Sequence, residues 1–142
     1  MGRLARRPFA SLPATEMEAA VQYLCLIYQN ETILNALSKP EYEALVAEAL
    51  AYDDELREGG HYVASNALEL VDSATTVRVG SGKVSVTDGP FAETREQLGG
   101  YILIEARDLN EAVRLAAKIP PARLGCVEVR PVKDLLAELQ SS

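Results

Sequence analysis

The sequence is poor in the residues that build metal centres. It has one histidine, His61, and two cysteines, Cys25 and Cys126, which stand about a hundred residues apart in separate apolar runs. A metal site draws on closely spaced ligands, so none is expected, and the cysteines read as buried free thiols of a cytoplasmic protein. The sequence leaves a disulfide open, because the two runs are free to be neighbouring strands. No apolar stretch approaches the roughly 20 residues that cross a bilayer, which argues against a membrane partner. The net charge is −7 and no basic stripe occurs past residue 20. That disfavours direct contact with nucleic acid, whose phosphates call for a concentrated basic face. A phosphate-cradling loop is also missing. The Gly-rich "GSG" at residues 80–82 lies between two strand-like runs, not between a strand and a helix. No cofactor is expected.

What is present fits one globular domain. The chain has 142 residues, 48% of them hydrophobic and 25% charged, enough for a sizeable core. The first residues, "MGRLARRPFASLPATEMEAAVQ", carry Arg3, Arg6 and Arg7, two prolines and no periodicity. An Arg-Arg pair suggests export, but the apolar segment that should follow it is missing. Residues 1–20 are therefore expected to form a disordered or extended arm, with Met17 an alternative start, and residues 21–142 the domain.

"VQYLCLIY" (residues 21–28) is apolar at nearly every position, as in a strand covered on both faces. "QNETILNALSKP" reads as a loop or irregular turn. Pro40 then opens a helix ending at Gly59-Gly60, with Glu41 and Glu43 suited to its N-terminus. Its inner side is Tyr42, Leu45, Val46, Ala49, Asp53 and Leu56, apolar but for Asp53. "HYVASNALEL" is a second strand. "TTVRV-GSG-KVSVT" is a hairpin of alternating valines around a Gly-rich turn. "YILIEA" is an apolar strand. "RDLNEAVRLAAKIPP" is a helix with Asp108 as N-cap, Ala112, Val113, Ala116 and Ala117 inward, and a Pro-Pro stop. "CVEVRPV" is the last strand and "KDLLAELQ" a short terminal helix.

The order β-α-β, hairpin, β-α-β predicts an α+β domain: a ferredoxin-like βαββαβ core with an inserted β-hairpin. Two helices cover only one sheet face, yet residues 21–28 are apolar on both. An uncovered apolar face is a liability, so a homodimer is expected. With the valines of "CVEVR" packed on the helices, the dimer-facing side would carry Glu128 and Arg130, joined by His61, Ser65 and Glu105. Apolar walls with converging polar groups describe a small-molecule cavity.

"VTDGPFAETREQLGG" (residues 86–100) is the most distinctive stretch. Gly89 before Pro90 suits an extended or left-handed turn. Asp88 can accept backbone N–H bonds in an Asx turn, or serve as a general base. "TREQ" fits a capping box between Thr94 and Gln97, closed by Gly99-Gly100. Phe91 is expected to plug the core. Glu93 and Glu96, three apart, can perturb one another's protonation, with Arg95 at hand to neutralise them.

From "DGPFAETREQLGGYILIEARDLNEA", with "YLCLIY" before it and "GCVEVRPV" after it, the chain resembles the YCII-related family in its DGPF-type branch, over residues 22–135. The resemblance implies a dimeric α+β barrel on a ferredoxin-like protomer. That fold is shared with small cofactor-free monooxygenases and lactone isomerases, so each protomer would hold a cavity. In shorter relatives a His and an Asp meet in a pocket. Here "EYEALVAEALAYDDEL" has no histidine and "KIPPAR" stands where their Asp lies, so that pair is not transferred. Relatives named for an association with transcription initiation imply a regulatory alternative, with a protein partner.

Three functions compete on these residues. One is a dimeric ligand-binding or regulatory protein with a small-molecule or protein partner. The alternative is a cofactor-independent enzyme moving a proton on a small organic anion. In that case Asp88 or His61 would be the base, Arg130 would hold the anion, and Tyr28, Phe91 and Tyr101 would line the pocket, with Glu93 a further ligand contact. The third is a dimer whose pocket is filled by its own side chains.

Overall fold

The computed structural model describes residues 20–141; the expected arm, apart from Ala20, lies outside them. In chain order the elements are β1 (Val21–Asn30), α1 (Glu31–Asn35), α2 (Lys39–Glu58), β2 (Tyr62–Ala67), β3 (Thr75–Gly80), β4 (Lys83–Asp88), β5 (Glu96–Ala106), α3 (Leu109–Ala116), β6 (Gly125–Pro131) and α4 (Leu135–Ser141). Short 3₁₀ turns lie at Val71–Ser73 and Pro120–Leu124.

The main sheet runs β2-β5-β1-β6, with each neighbouring pair antiparallel, and β3-β4 forms a separate two-stranded sheet. Setting the hairpin aside, the first and third core strands are central and the second and fourth are at the edges. This is the ferredoxin-like α+β arrangement, with the hairpin inserted between the second and third core strands. The hairpin turns at Ser81 and Gly82, both at positive φ (52° and 75°), the geometry that matches strand twist in a two-residue loop.

Local sequence explains the helices. Ser38 caps α2: its hydroxyl accepts from Glu41 N–H at 3.2 Å, while the Glu41 carboxylate accepts from Ser38 N–H at 2.8 Å. That reciprocal box also holds the Glu41 carboxyl below its usual range. The helix begins at Lys39, one residue before the expected proline. Asn30 caps the short α1, its side chain accepting from Ile33 N–H, so the expected loop contains a helical turn. Asp108 caps α3 as expected, accepting from Glu111 N–H at 2.9 Å.

Strand parity divides the sheet. Tyr23, Cys25 and Ile27 of β1 and Ile102, Ile104 and Ala106 of β5 are buried against the helices. They pack with Tyr52, Leu56, Ala112, Ala116 and Ile119. Val127 and Val129 of β6 lie on this side, as expected. Tyr52 ties the layers together by donating its hydroxyl to the Leu115 carbonyl at 2.6 Å. On the outer face lie Leu24, Leu26 and Tyr28, in register with Leu103, Tyr101 and Leu98 on one side and Arg130, Glu128 and Cys126 on the other.

Four local expectations are corrected. Val113 is half exposed and Ala117 also faces outward. Glu111 takes the buried place instead, accepting from Arg107 N–H at 2.8 Å. The "TREQ" stretch forms no helical turn, because β5 starts at Glu96 and pairs with β1 from Asn30 onward. A bulge between Ile27 and Tyr28 leaves Gly99 as the extra residue, so the glycine pair serves a bulge rather than a helix end. Phe91 is 78% exposed and plugs nothing. Only Cys25 is a buried thiol, pushed up to about 11 by burial. Cys126 is free and exposed. Partial desolvation, together with the nearby Glu96 and Glu128 carboxylates, holds its thiol above the ordinary range, which makes it a poor nucleophile.

Candidate functional site

The apolar stripe of α2 does not close onto the sheet along its whole length. Leu45, Tyr52 and Leu56 are buried, whereas Tyr42, Val46 and Leu50 are 49%, 38% and 60% exposed. These three, with Ala49 and Asp53, form one wall of an open cavity of about 840 Å³. The opposite wall is the helix-side surface of β1, β2 and β5, through Ile27, Ser65, Gly100 and Ile102. Leu34 and Leu37, Leu68 and Leu70, and Ile119 with Pro120-Pro121 from the turn before β6 also line it. The volume falls in the range of small-molecule sites.

A chain of hydrogen bonds forms the polar part. The Ser65 hydroxyl donates to Asp53 Oδ2 at 3.0 Å, and the Tyr62 and Ser65 hydroxyls lie 2.8 Å apart. Burial raises the Asp53 carboxyl above its ordinary value, and Asp54 adds to the rise. The Ser65 bond and the charge of Arg57 pull it partly back. Arg57 does not pair with Asp53 directly. It donates to Asp54 Oδ1 at 2.6 Å and stands 4.1 Å over the Tyr62 ring.

Ser65 reaches this side through an irregularity in β2. The strand pairs Tyr62 with Ile104 and then Ala64 with Leu103, so Val63 is passed over and parity flips. Ser65 therefore sits opposite Ile102 on the helix side, not on the outer face where plain alternation places it. Asp53 was visible in the sequence as the one charged residue on the stripe of α2. Its partner was not, because no residue type marks the bulge.

The residues singled out from sequence are scattered by the structure. Tyr101 touches the rim of the cavity, but it stands on the outer face in register with Leu26 and Asn66 and accepts from Asn66 Nδ2 at 2.9 Å. Tyr28 lies on the outer face opposite Cys126, and Arg130 is there too, 3.6 Å from Glu128. Glu105 shares that face, in register with Gln22. Asp88 ends β4 exposed, and its side chain makes no Asx turn. Instead Gly89, at φ +101°, donates its N–H to the Ala74 carbonyl at 2.7 Å, and its own carbonyl accepts from the Thr76 hydroxyl. His61 Nδ1 lies 2.8 Å from the Glu105 carbonyl. A carbonyl only accepts, so Nδ1 carries the proton and the ring fastens the start of β2. Neither Asp88 nor His61 lines the cavity, and among the described residues no bond joins them.

Glu93 borders a second, more polar hollow of about 490 Å³ with Asn30, Pro90, Thr94 and Arg95. There Gln97 donates to the Ala92 and Thr94 carbonyls, and the Thr94 hydroxyl to the Glu96 carbonyl. The loop's polar side chains thus shape the turn itself. Among the described residues no group of three His, Cys, Asp or Glu could hold a metal, and no helix is long and apolar enough to cross a membrane.

A small ferredoxin-like α+β domain with a cavity between its first long helix and its sheet is the class that the fold and site define. The chain belongs to the YCII-related family, whose domain model matches residues 21–136. It is also similar to an uncharacterised protein of Rhizobium meliloti (strain 1021), 37% identical over 112 residues, which span 78% of this chain and 90% of that protein.

The Asp53 carboxyl makes a prediction of its own. A folded-state value above the unfolded one means that the folded protein binds this proton more tightly. Stability therefore falls as pH rises from the ordinary carboxylate value through the raised one. The cost is complete above that window and absent below it. Asp53→Asn, whose amide oxygen can still accept from Ser65, is expected to melt higher than wild type at neutral pH. That advantage should shrink on acidification through the window, as read by melting curves across pH.

Proposed function

We propose that this is a homodimeric small-molecule-binding protein of the YCII-related type, with one ligand site per protomer. The observation that carries the reading is the cavity of about 840 Å³ between α2 and the sheet, mainly apolar and carrying Asp53 and Ser65 on its wall, with the Tyr62 hydroxyl behind Ser65. An apolar wall with few, placed polar groups is what a small-molecule site needs.

A second copy over the outer sheet face completes the proposal. Leu24, Leu26, Tyr28, Tyr101 and Leu103 are half-buried there, while α2 and α3 pack on the other face. Glu105, Glu128 and Arg130 share that surface, giving it both charge signs for a two-fold interface. Light scattering is expected to give twice the monomer mass. A cytoplasmic location belongs to the same reading, supported by the free state of both thiols.

The test is a thermal-shift screen of small apolar compounds on wild type and on Ala49→Trp, whose indole would occupy the cavity. At a hundred times Kd a ligand adds about 2.7 kcal/mol, or roughly 5–10 °C in Tm for a chain of this size. Such shifts are expected in wild type and absent in the variant. Equal shifts in both would place the binding elsewhere.

One observation favours a second reading. Asp53 is a partly desolvated carboxylate on a cavity wall, a setting in which a carboxyl can exchange protons with a substrate. Under that reading the protein is a cofactor-independent proton-transfer enzyme, with Asp53 as the base in place of Asp88 or His61. Solvent deuterium entering a bound carbon acid, and lost in Asp53→Asn, would support it.

A further inference from the structure

The hydrogen-bond chain at the cavity wall has a direction. With Asp53 ionised, its carboxylate only accepts, so the single Ser65 proton is directed to Oδ2. Tyr62 must then donate to Ser65 across their 2.8 Å contact. Both hydroxyl protons are committed, and neither hydroxyl has one left for a ligand. Among the described residues no donor reaches Asp53 Oδ1. Asp53 is half-buried and open to solvent, so a ligand that displaces water from Oδ1 must bring a donor of its own.

The charges agree. The formal charges on the cavity wall are Lys39, Asp53 and Glu69, one positive and two negative, in a chain of net charge −7. Lys39 opens α2 and Asp53 lies 14 residues on, about 21 Å away along the axis, so Lys39 does not neutralise this carboxylate. Arg57, the nearest cation on the same helix, is engaged by Asp54 and the Tyr62 ring. Arg130, the expected anchor for an anion, is on the other side of the sheet. A metal cation is not served by one carboxylate and two hydroxyls. Gln29, Asn35 and Asn66 also line the wall, and most of the rest of it is hydrocarbon, including Val46, Ala49, Leu50, Leu68 and Ile119.

The geometry points to an organic ammonium ion as the ligand: a protonated amine on a hydrocarbon body, its N–H groups donated to the Asp53 carboxylate. This rests on the reading of the cavity as a ligand site. A cation supplies the donor for Oδ1 and a positive charge in direct contact with the carboxylate, which Arg57 does not give because it acts on Asp53 only through space. Charge-assisted hydrogen bonds are also the stronger kind. The titratable and charged groups around Asp53 are Asp54 and Arg57 on α2 and Tyr62 on β2, with Lys39 and Glu69 elsewhere on the wall.

The test uses three probes with one body and different heads: n-hexylamine, n-hexanol and hexanoate. They are titrated by ligand-observed NMR at neutral pH and physiological ionic strength against wild type, Asp53→Asn, and Glu43→Gln as a control for general attraction of cations to an acidic protein. Hexylamine is expected to bind wild type roughly tenfold tighter than hexanol, with hexanoate weakest. Asp53→Asn should bring hexylamine down to the hexanol level while hexanol changes little, and Glu43→Gln should change neither. Hexanol binding as tightly as hexylamine, hexanoate binding best, or an amine preference that survives Asp53→Asn overturns the ammonium inference and leaves the cavity site standing. Failure of all three probes to bind overturns both.

Discussion

Truncation of Ile104 to alanine is expected to remove about 3–4 kcal/mol of folding stability, and on the order of 10 °C in Tm. Ile104 is 1% exposed and lies mid-strand on β5, in register with Tyr23 on β1 and Tyr62 on β2. Hydrogen-bonded ladders hold its backbone on both sides, so the sheet cannot move in to fill the void. Cys25, fully buried beside it in the same cluster, is too small to reach across. Urea unfolding at fixed protein concentration measures the loss. A cost below about 1 kcal/mol would mean that the core is looser than described. Truncating Val79, 75% exposed on the hairpin, should by contrast change stability by less than about 0.5 kcal/mol.

Gly125→Ala is expected to cost at least about 3 kcal/mol, beyond ordinary overpacking. The reason is steric. A Cβ there would sit deep inside contact distance of the Tyr28 carbonyl oxygen, 2.9 Å from the Tyr28 carbonyl carbon and 3.2 Å from Gln29 Cα. All three atoms belong to the backbone of β1, the central strand that β6 pairs with, so none can give way without breaking the ladder. Gly99→Ala is the control. Its Cβ would collide as hard, but its three nearest neighbours are all atoms of the Gln29 side chain, and Gln29 borders the open cavity and can swing into it. That variant should lose less than about 1 kcal/mol. Equal costs for the two would contradict the distinction between backbone and side-chain neighbours.

What could be read from the sequence was what local chemistry decides. Asp108 as a cap, the valine hairpin around Gly82, the helix from Pro40 to Gly59-Gly60 and β1 as an apolar strand all follow from residue type and period. So did Asp53 as the odd residue on an apolar stripe. Long-range pairing decided the rest. "TREQ" has the letters of a capping box, but the β1 ladder claims Glu96 and Gln97 for a strand. Phe91 looks like a core residue by type, yet the chain leaves the hairpin at Gly89 with the ring in solvent. The bulge after Tyr62 moved Ser65 to the cavity side and removed the basis for grouping it with Arg130. The distinctive loop drew attention to Asp88 and Glu93. The cavity lies instead where α2 parts from the sheet, a matter of helix placement that no short motif records.

The most direct test of the account is to locate a bound molecule. In ¹H–¹⁵N spectra of the labelled protein titrated with n-hexylamine and n-hexanol, the cavity site predicts shifts concentrated at Val46, Leu50, Asp53, Ser65, Asn66 and Gly100. Leu24, Leu103, Glu128 and Arg130 on the outer face should stay still. Perturbations centred on that outer face, or none at saturating concentrations of either probe, would contradict the assignment of the cavity between α2 and the sheet as the ligand site.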